Sequence, residues 1–163
     1  MSHLQRLSLS GFFLSAFLLS ACTTTGKKPE NTTEPATGEA TVTQESRSEV
    51  DVLISKYATL YKVPEPLVRR VVKRESNFLP GAYNRGHWGL MQIKHGTAKV
   101  MGYDGPPKGL LDAETNLKYG VKYLAGAYLV AGGSQDRAVR LYSSGYYYEA
   151  KRKGLLEETG LKN

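Results

Sequence analysis

Glu75 is the residue of this sequence whose type and position most readily suggest chemistry. It stands in the stretch VVKRESNFLP, residues 71–80, where helical spacing places it beside an apolar stripe of valines. A buried carboxylate is costly unless it is paired or protonated. A helix C-terminus and partial burial both favour the neutral carboxyl, which is the form that a general acid needs. Lys73 and Arg74 oppose this effect, but we expect them to point to other faces of the helix.

A second acid is missing from the neighbourhood of Glu75 in the sequence. No Asp or Glu occurs between Ser76 and Tyr103. A glycosidase that uses two carboxylates needs the second within a few ångströms of the first. Of the later candidates, Asp104 precedes a Gly-Pro turn and Asp112 is expected to cap a helix. The sequence therefore favours a mechanism with a single carboxylate.

Two further polar side chains are expected near this acid. Gln92 lies in WGLMQI, residues 88–93, where a glycine and an apolar pair indicate a close-packed turn that directs the amide at a polar target. Tyr142, in RLYSSG, lies on the inward face of a predicted helix, where its phenol can donate a hydrogen bond beside an acid. Each also has a structural interpretation, Gln92 as a capping amide and Tyr142 as part of the core.

The sequence predicts neither a metal nor a cofactor. His87 and His95 have no Cys, Asp or His partner at the spacing of metal ligands, so we interpret them as surface or loop residues. No phosphate-binding glycine loop and no nucleophile elbow is present in the sequence.

The spacing of apolar residues predicts helices and no convincing strand. Pro64 ends the first helix, Asp112 and Ser134 provide N-caps for later ones, and Gly154 ends the last, which begins in YYYEAKRK. Residues 49–163 are therefore predicted to form one compact, mostly α domain. The expected segments before the last one are residues 50–62, 65–77, 97–101, 112–131 and 134–144.

The N-terminal part of the chain is predicted to direct export and anchoring. Residues 1–21 are typical of a signal peptide, and their apolar run is too short for a comfortable transmembrane helix. The following tetrapeptide, LSAC, resembles the lipobox of bacterial lipoproteins, which predicts lipidation of Cys22, the only cysteine. The alternative is an ordinary cleaved signal with an incidental cysteine. Residues 22–48, rich in Thr, Glu, Pro and Gly, are predicted to be a flexible tether.

The charge of the chain favours an anionic partner. The formal net charge is +7, and residues 49–163 contain 18 Lys and Arg against 11 Asp and Glu. Basic domains bind nucleic acid, anionic lipid or an anionic polymer. An exported protein rarely meets nucleic acid, so an anionic polymer of the cell envelope is expected instead. Thr23 after the cysteine, by resemblance to lipoproteins of Gram-negative bacteria, favours the periplasmic face of the outer membrane.

The order of these motifs resembles the soluble lytic transglycosylase (SLT) family of lysozyme-like enzymes. The resemblance extends over roughly residues 52–145 and includes the "AYNAG" motif, in which Tyr142 takes the place of the tyrosine and Ser143 that of the asparagine. The other matching residues are Glu75-Ser76, Gly89-Leu90-Met91-Gln92-Ile93, Gly96-Thr97-Ala98, Asn116, Gly120 and Tyr123-Leu124.

This resemblance implies a lysozyme-like helical fold and a reaction on peptidoglycan. The enzyme would cleave the β-1,4 bond between N-acetylmuramic acid and N-acetylglucosamine and would leave 1,6-anhydromuramic ends. Glu75 would act first as acid and then as base, without a second carboxylate. The implied substrate-binding residues are Ser76, Gly89, Met91, Gln92 and Tyr142.

Several alternatives remain open from the sequence. A lysozyme-type hydrolase would cut the same bond with water, and a non-catalytic lipoprotein would only bind the wall. On spacing alone, Glu75 could equally be a solvated carboxylate at a helix end. YYYEAK is interpreted as a packing face in preference to a sugar platform. We expect a monomer whose partners are glycan strands and, through Cys22, the membrane.

Overall fold

The computed structural model of the chain describes residues 37–161. The predicted signal peptide, Cys22 and the first part of the predicted tether lie outside these residues. Within this range the structure is mostly helical, which confirms the predicted fold class. No helix in this part of the chain combines the length and the apolar character needed to cross a membrane.

The six α-helices of residues 37–161 are joined by short connections, one of which is a 3-10 helix at Pro107–Leu111. The first two helices precede a small sheet and the other four follow it. Their bounds are α1 Thr37–Leu60, α2 Glu65–Ser76, α3 His95–Val100, α4 Ala113–Val130, α5 Gln135–Ser144 and α6 Tyr147–Lys153.

Helix α4 is the centre of the fold and packs against α1, α3, α5 and α6. Leu117, Val121 and Leu124 on this helix are completely buried. The predicted caps are confirmed: the side chain of Asp112 accepts a hydrogen bond from the backbone N–H of Thr115 at 2.8 Å, and Ser134 does the same for α5. Side-chain caps of this kind satisfy backbone donors that the first turn leaves unpaired.

Helix α1 begins at Thr37, whereas the sequence predicts a flexible tether as far as residue 48. Residues 37–48 are therefore helical in the structure. No glycine or proline occurs between Gly38 and Pro64, so nothing in the backbone stops the helix from extending upstream. The guanidinium of Arg47 also lies 3.5 Å from the centroid of the Phe78 ring, a cation–π contact that holds this turn against the domain.

A small antiparallel sheet follows α2, although no strand is predicted. Its strands, in the order β1-β2-β3, are Tyr83–Asn84, His87–Trp88 and Ile93–Lys94. Strands of two residues are too short to show an alternating pattern in the sequence. The turn between β1 and β2 consists of Arg85 and Gly86, both with positive φ, as the favoured two-residue hairpin turns require.

Candidate functional site

A cleft of about 440 Å³ lies among the C-terminal end of α2, the sheet with the start of α3, and the C-terminal end of α5. Of the predicted site residues, the structure brings Glu75, Gln92 and Tyr142 together in the lining of this cleft. Ser76, Gly89 and Met91 are not among the residues that line it. The cleft is therefore the candidate active site.

Glu75 occupies the last turn of α2 and faces this cleft. The helix ends at once after Ser76 because Asn77 adopts the left-handed conformation, with φ 51°, and its N–H bonds to the carbonyl oxygen of Lys73. The Glu75 side chain is 23% exposed, so it is neither in the core nor fully solvated. This is the helix-end position that the sequence predicts for a carboxyl group that meets a substrate.

Arg74 forms an ion pair with Glu75, and the prediction that it points to another face of the helix is wrong. Its Nε lies 3.0 Å from Oε1 of Glu75, and its Nη2 contacts the same oxygen. A long arginine side chain can lie along the helix surface and reach its neighbour at the helix end, where no following turn separates them. The acid therefore has a counter-charge in direct contact.

The guanidinium of Arg74 also reaches α5. Nη2 donates to Oγ of Ser143 at 2.5 Å, and Nη1 makes a longer contact of 3.5 Å with the carbonyl oxygen of Val139. Ser143 in turn donates to the carbonyl oxygen of Val139 at 3.2 Å. The end of α2 and the end of α5 are joined through this one side chain.

Glu75 is the only carboxylate among the described residues that line the cleft. The lining also contains two cationic residues, Arg74 and Lys94, and one histidine, His87. Within residues 37–161 no group of three or more His, Cys, Asp or Glu side chains is arranged to hold a metal ion. Proton transfer by Glu75 beside a positive surface is one chemistry that the groups of this cleft can perform.

Tyr142 lies in the wall of the cleft with its phenol committed to the backbone. The hydroxyl donates to the carbonyl oxygen of Met91 at 2.8 Å, so it does not donate to the acid in this structure. Burial raises the pKa of Tyr142 well above its ordinary value of 10, and the negative charge of Glu75 raises it further. The phenol is therefore neutral at physiological pH and acts as a fixed hydrogen-bond donor.

Gln92 supports the loop between β2 and β3. Its backbone has a positive φ of 48°, and its side-chain Nε2 donates to the carbonyl oxygens of Gly89 at 2.9 Å and Ala82 at 3.1 Å. These bonds match the structural interpretation of Gln92 as a capping amide. Since Gln92 also lines the cleft, its remaining surface is available to a ligand.

The three predicted residues outside the lining hold the cleft wall together. Ser76 is buried and donates through Oγ to the carbonyl oxygen of Leu90 at 2.7 Å. Met91 is fully buried, and its backbone carbonyl is the acceptor for Tyr142. Gly89 has φ 67°, and a Cβ at this position would clash with the side chain of Asn116.

Asn116, on α4, is the central polar residue of this wall. It is completely buried, and its amide donates to the carbonyl oxygens of Trp88 and Leu110 at 2.7 Å each. Its Oδ1 accepts from the backbone N–H of Met91 at 2.8 Å. Sequence reasoning did not assign it a role at the site, although an asparagine within the apolar stripe of a helix was a usable signal.

Comparison with known proteins gives one family and several relatives. The model of the Transglycosylase SLT domain family matches residues 52–158. Peptidoglycan transglycosylase gp16 of Escherichia phage T7 is 34% identical over 102 residues, which are 60% of this chain and 8% of that protein. Membrane-bound lytic murein transglycosylase C of Yersinia pestis (strain Pestoides F) is 36% identical over 102 residues, 56% of this chain and 28% of that protein.

The chain thus matches less than a third of the length of these relatives. No solved structure gives a significant match. The family match extends over well more than half of the chain and includes the end of α2, the sheet and α5, which together form the cleft. The chain therefore belongs to the transglycosylase SLT domain family.

Proposed function

We propose that this protein is a peptidoglycan lytic transglycosylase. It cleaves the β-1,4 bond between N-acetylmuramic acid and N-acetylglucosamine and leaves a 1,6-anhydromuramic end. The observation that carries this proposal is the single carboxylate, Glu75, among the described lining residues of the cleft of an SLT-family chain. The printed names of the relatives, a peptidoglycan transglycosylase and a lytic murein transglycosylase, support the same reaction class.

In this mechanism Glu75 performs both proton transfers. As an acid it donates its proton to the glycosidic oxygen, so that the C1–O bond of the muramyl residue breaks and N-acetylglucosamine leaves with a free hydroxyl. As a base it then accepts the proton of the muramyl 6-hydroxyl while that oxygen bonds to C1. The carboxyl group is regenerated and no water is consumed. The substrate's acetamido group can stabilise the developing cation, which makes a second carboxylate unnecessary.

The charge of the cleft suits this substrate. Peptidoglycan carries carboxylates on its stem peptides, and the lining of the cleft contains Lys94 in addition to the Arg74–Glu75 ion pair. Positive surfaces raise the local concentration of anionic polymers and accelerate their association. The excess of basic residues in the domain acts in the same direction.

We further propose that Cys22 anchors the protein to the periplasmic face of the outer membrane. One lipid-modified cysteine followed by a polar segment would keep the catalytic domain close to the wall, and one of the relatives is named as membrane-bound. Labelling cells with a fatty-acid analogue and fractionating their membranes tests this proposal. The label and the membrane association should both be lost in Cys22→Ser, and an unlabelled parent protein would contradict the anchor.

Mass spectrometry of digested, purified sacculi tests the reaction. Anhydro-muropeptides are expected from the parent protein, whereas reducing ends would indicate a lysozyme-type hydrolase. Glu75→Gln should lower turnover at least ~10²-fold, because it removes the acid–base group, while binding to sacculi persists. Binding without any cleavage by the parent would instead identify a wall-binding protein.

A matched control is Asp136→Asn. Asp136 is also paired with an arginine, since it lies 2.6 Å from Nη1 of Arg70, but it lies outside the cleft. This variant should retain the activity of the parent. An equal loss in both variants would show that Glu75 acts through stability and not through chemistry.

A further inference from the structure

We propose that Arg74 is a positioning residue that gives the two carboxyl oxygens of Glu75 different tasks. Oε1 is held by the guanidinium, and Oε2 carries the proton that is exchanged with the substrate. This inference rests on the proposed function and adds to it a role for a residue next to the acid.

The contacts of the Glu75 carboxyl group are asymmetric. Both nitrogens of Arg74 that reach the group, Nε and Nη2, contact Oε1. Among the described residues no hydrogen bond reaches Oε2. A proton on Oε1 would meet the donors of a guanidinium, which has no acceptor, whereas a proton on Oε2 meets none. The geometry therefore assigns the exchangeable proton to Oε2.

The guanidinium is itself held in place from the opposite helix. Ser143 Oγ accepts from Nη2 at 2.5 Å, and the carbonyl oxygen of Val139 lies 3.5 Å from Nη1. A planar guanidinium fixed at several nitrogens loses much of its rotational freedom, and so does the carboxylate bonded to it. Arg74 and Ser143 thus restrict the orientation of the Glu75 carboxyl group in the lining of the cleft.

This arrangement fits both halves of the proposed reaction. When Oε2 gives its proton to the glycosidic oxygen, Glu75 becomes a carboxylate, and Arg74 already supplies its counter-charge. The carboxylate then takes the 6-hydroxyl proton through the same oxygen and returns to its initial state. The fixed charge of Arg74 stabilises the carboxylate that the first step forms, and it needs no reorganisation at that moment.

An ion pair between α2 and α5 away from the acid provides a comparison. Arg70 of α2 pairs with Asp136 of α5 one turn earlier, with side chains 51% and 71% exposed. The Arg74–Glu75 pair is less exposed, at 40% and 23%, and lies in the cleft. Exposed pairs contribute little to stability, so Arg70→Gln is a matched control that weakens the α2–α5 contact without touching the acid.

The test compares steady-state kinetics on soluble, uncross-linked glycan strands. Arg74→Gln should lower kcat about tenfold and leave KM within about twofold, since misorientation of a catalytic group affects the chemical step. Arg70→Gln should keep both constants. Thermal unfolding of the two variants should give similar Tm values, which excludes a folding defect as the cause.

A double-mutant cycle tests the link to Ser143. If Ser143 acts through Arg74, Ser143→Ala lowers kcat in the parent background but has no further effect in Arg74→Gln. Additive losses, a loss confined to KM, or an equal loss in Arg70→Gln would overturn the inference. An Arg74→Gln variant whose kcat equals that of an active parent would also overturn the inference. An inactive parent would instead contradict the proposed function, so the two failures are distinguishable.

Discussion

The phenol of Tyr142 donates a hydrogen bond of 2.8 Å to the backbone carbonyl oxygen of Met91, 51 positions earlier in the chain. This bond joins α5 to the loop that precedes β3, so it connects two walls of the cleft. Both residues are buried, so loss of the phenol would leave a buried carbonyl oxygen without its donor.

We expect Tyr142→Phe to destabilise the fold by about 1–3 kcal/mol, the cost of a buried polar group without a partner. Urea denaturation followed by circular dichroism measures this change in the free energy of unfolding. Tyr123→Phe is the control, because the Tyr123 hydroxyl makes no hydrogen bond among the described residues, although its ring packs on Tyr142. That variant should change the free energy of unfolding by at most about 0.5 kcal/mol. Equal effects would contradict the role of the Met91 bond.

Asn116→Ala should be more damaging than loss of the Tyr142 hydroxyl. It leaves two carbonyl oxygens and one N–H in the cleft wall unpaired, at a cost of roughly 3 kcal/mol or more. Chemical denaturation should show a lower midpoint for this variant. Asn84→Ala is a matched control, since Asn84 is exposed in β1 and its change should stay within about 0.5 kcal/mol. A stable Asn116→Ala protein would show that water replaces the amide.

Gly89→Ala is expected to prevent correct assembly of the cleft. The added Cβ would overlap the side chain of Asn116 and the carbonyl oxygen of Leu110, and the residue would have to keep φ 67°. Low soluble yield or a reduced Tm should result. Gly81→Ala is the control, because a Cβ there meets nothing within 4 Å and its φ is not in the left-handed region. Equal Tm values for the two variants would contradict this steric explanation.

The stability of the domain should depend on pH through Glu65. Its carboxylate accepts hydrogen bonds of 2.7 Å from Ser55 of α1 and from Nε of Arg69, and these bonds lower the pKa of Glu65 below its ordinary value of 4.5. A group whose pKa is lower in the folded state stabilises the fold above the unfolded-state pKa. That contribution is lost as the pH falls through the folded-state pKa.

Glu65→Gln should therefore have a lower urea midpoint than the parent at pH 7, and the difference should shrink as the pH falls below 4.5. Ser55→Ala, which removes the first of the two bonds, should show a smaller difference of the same sign. A gap between parent and Glu65→Gln that does not change with pH would contradict the assignment. Urea titrations at several pH values give the comparison.

The helices that follow clear local signals were predictable from the sequence. Asp112 and Ser134 provide N-caps and Pro64 separates α1 from α2, so the chemistry of single residues determines these boundaries. The start of α1 was predicted too late, because a polar composition indicates a tether while the absence of breaking residues permits a helix. For residues 37–48 the polar composition thus predicted a tether, whereas the backbone preferences of these residues allowed a helix.

The location of Glu75 was predictable from the sequence, whereas the contacts around it were not. Glu75 is found at its helix end and faces the cleft because apolar spacing fixes the orientation of α2. The contact of Arg74 with Ser143 joins residues 69 positions apart, so it depends on how α5 packs and not on any local pattern. The buried positions of Ser76 and Met91 likewise follow from tertiary packing.

The sequence contains a single tryptophan, Trp88, and the structure places it in strand β2. Its ring lies 4.4 Å from that of Tyr83, and its carbonyl oxygen accepts from Asn116. Intrinsic fluorescence excited at the indole band therefore reports on the hairpin alone, whereas far-ultraviolet dichroism reports on the helices. The protein thus carries an intrinsic optical probe of the sheet that needs neither a label nor a substrate.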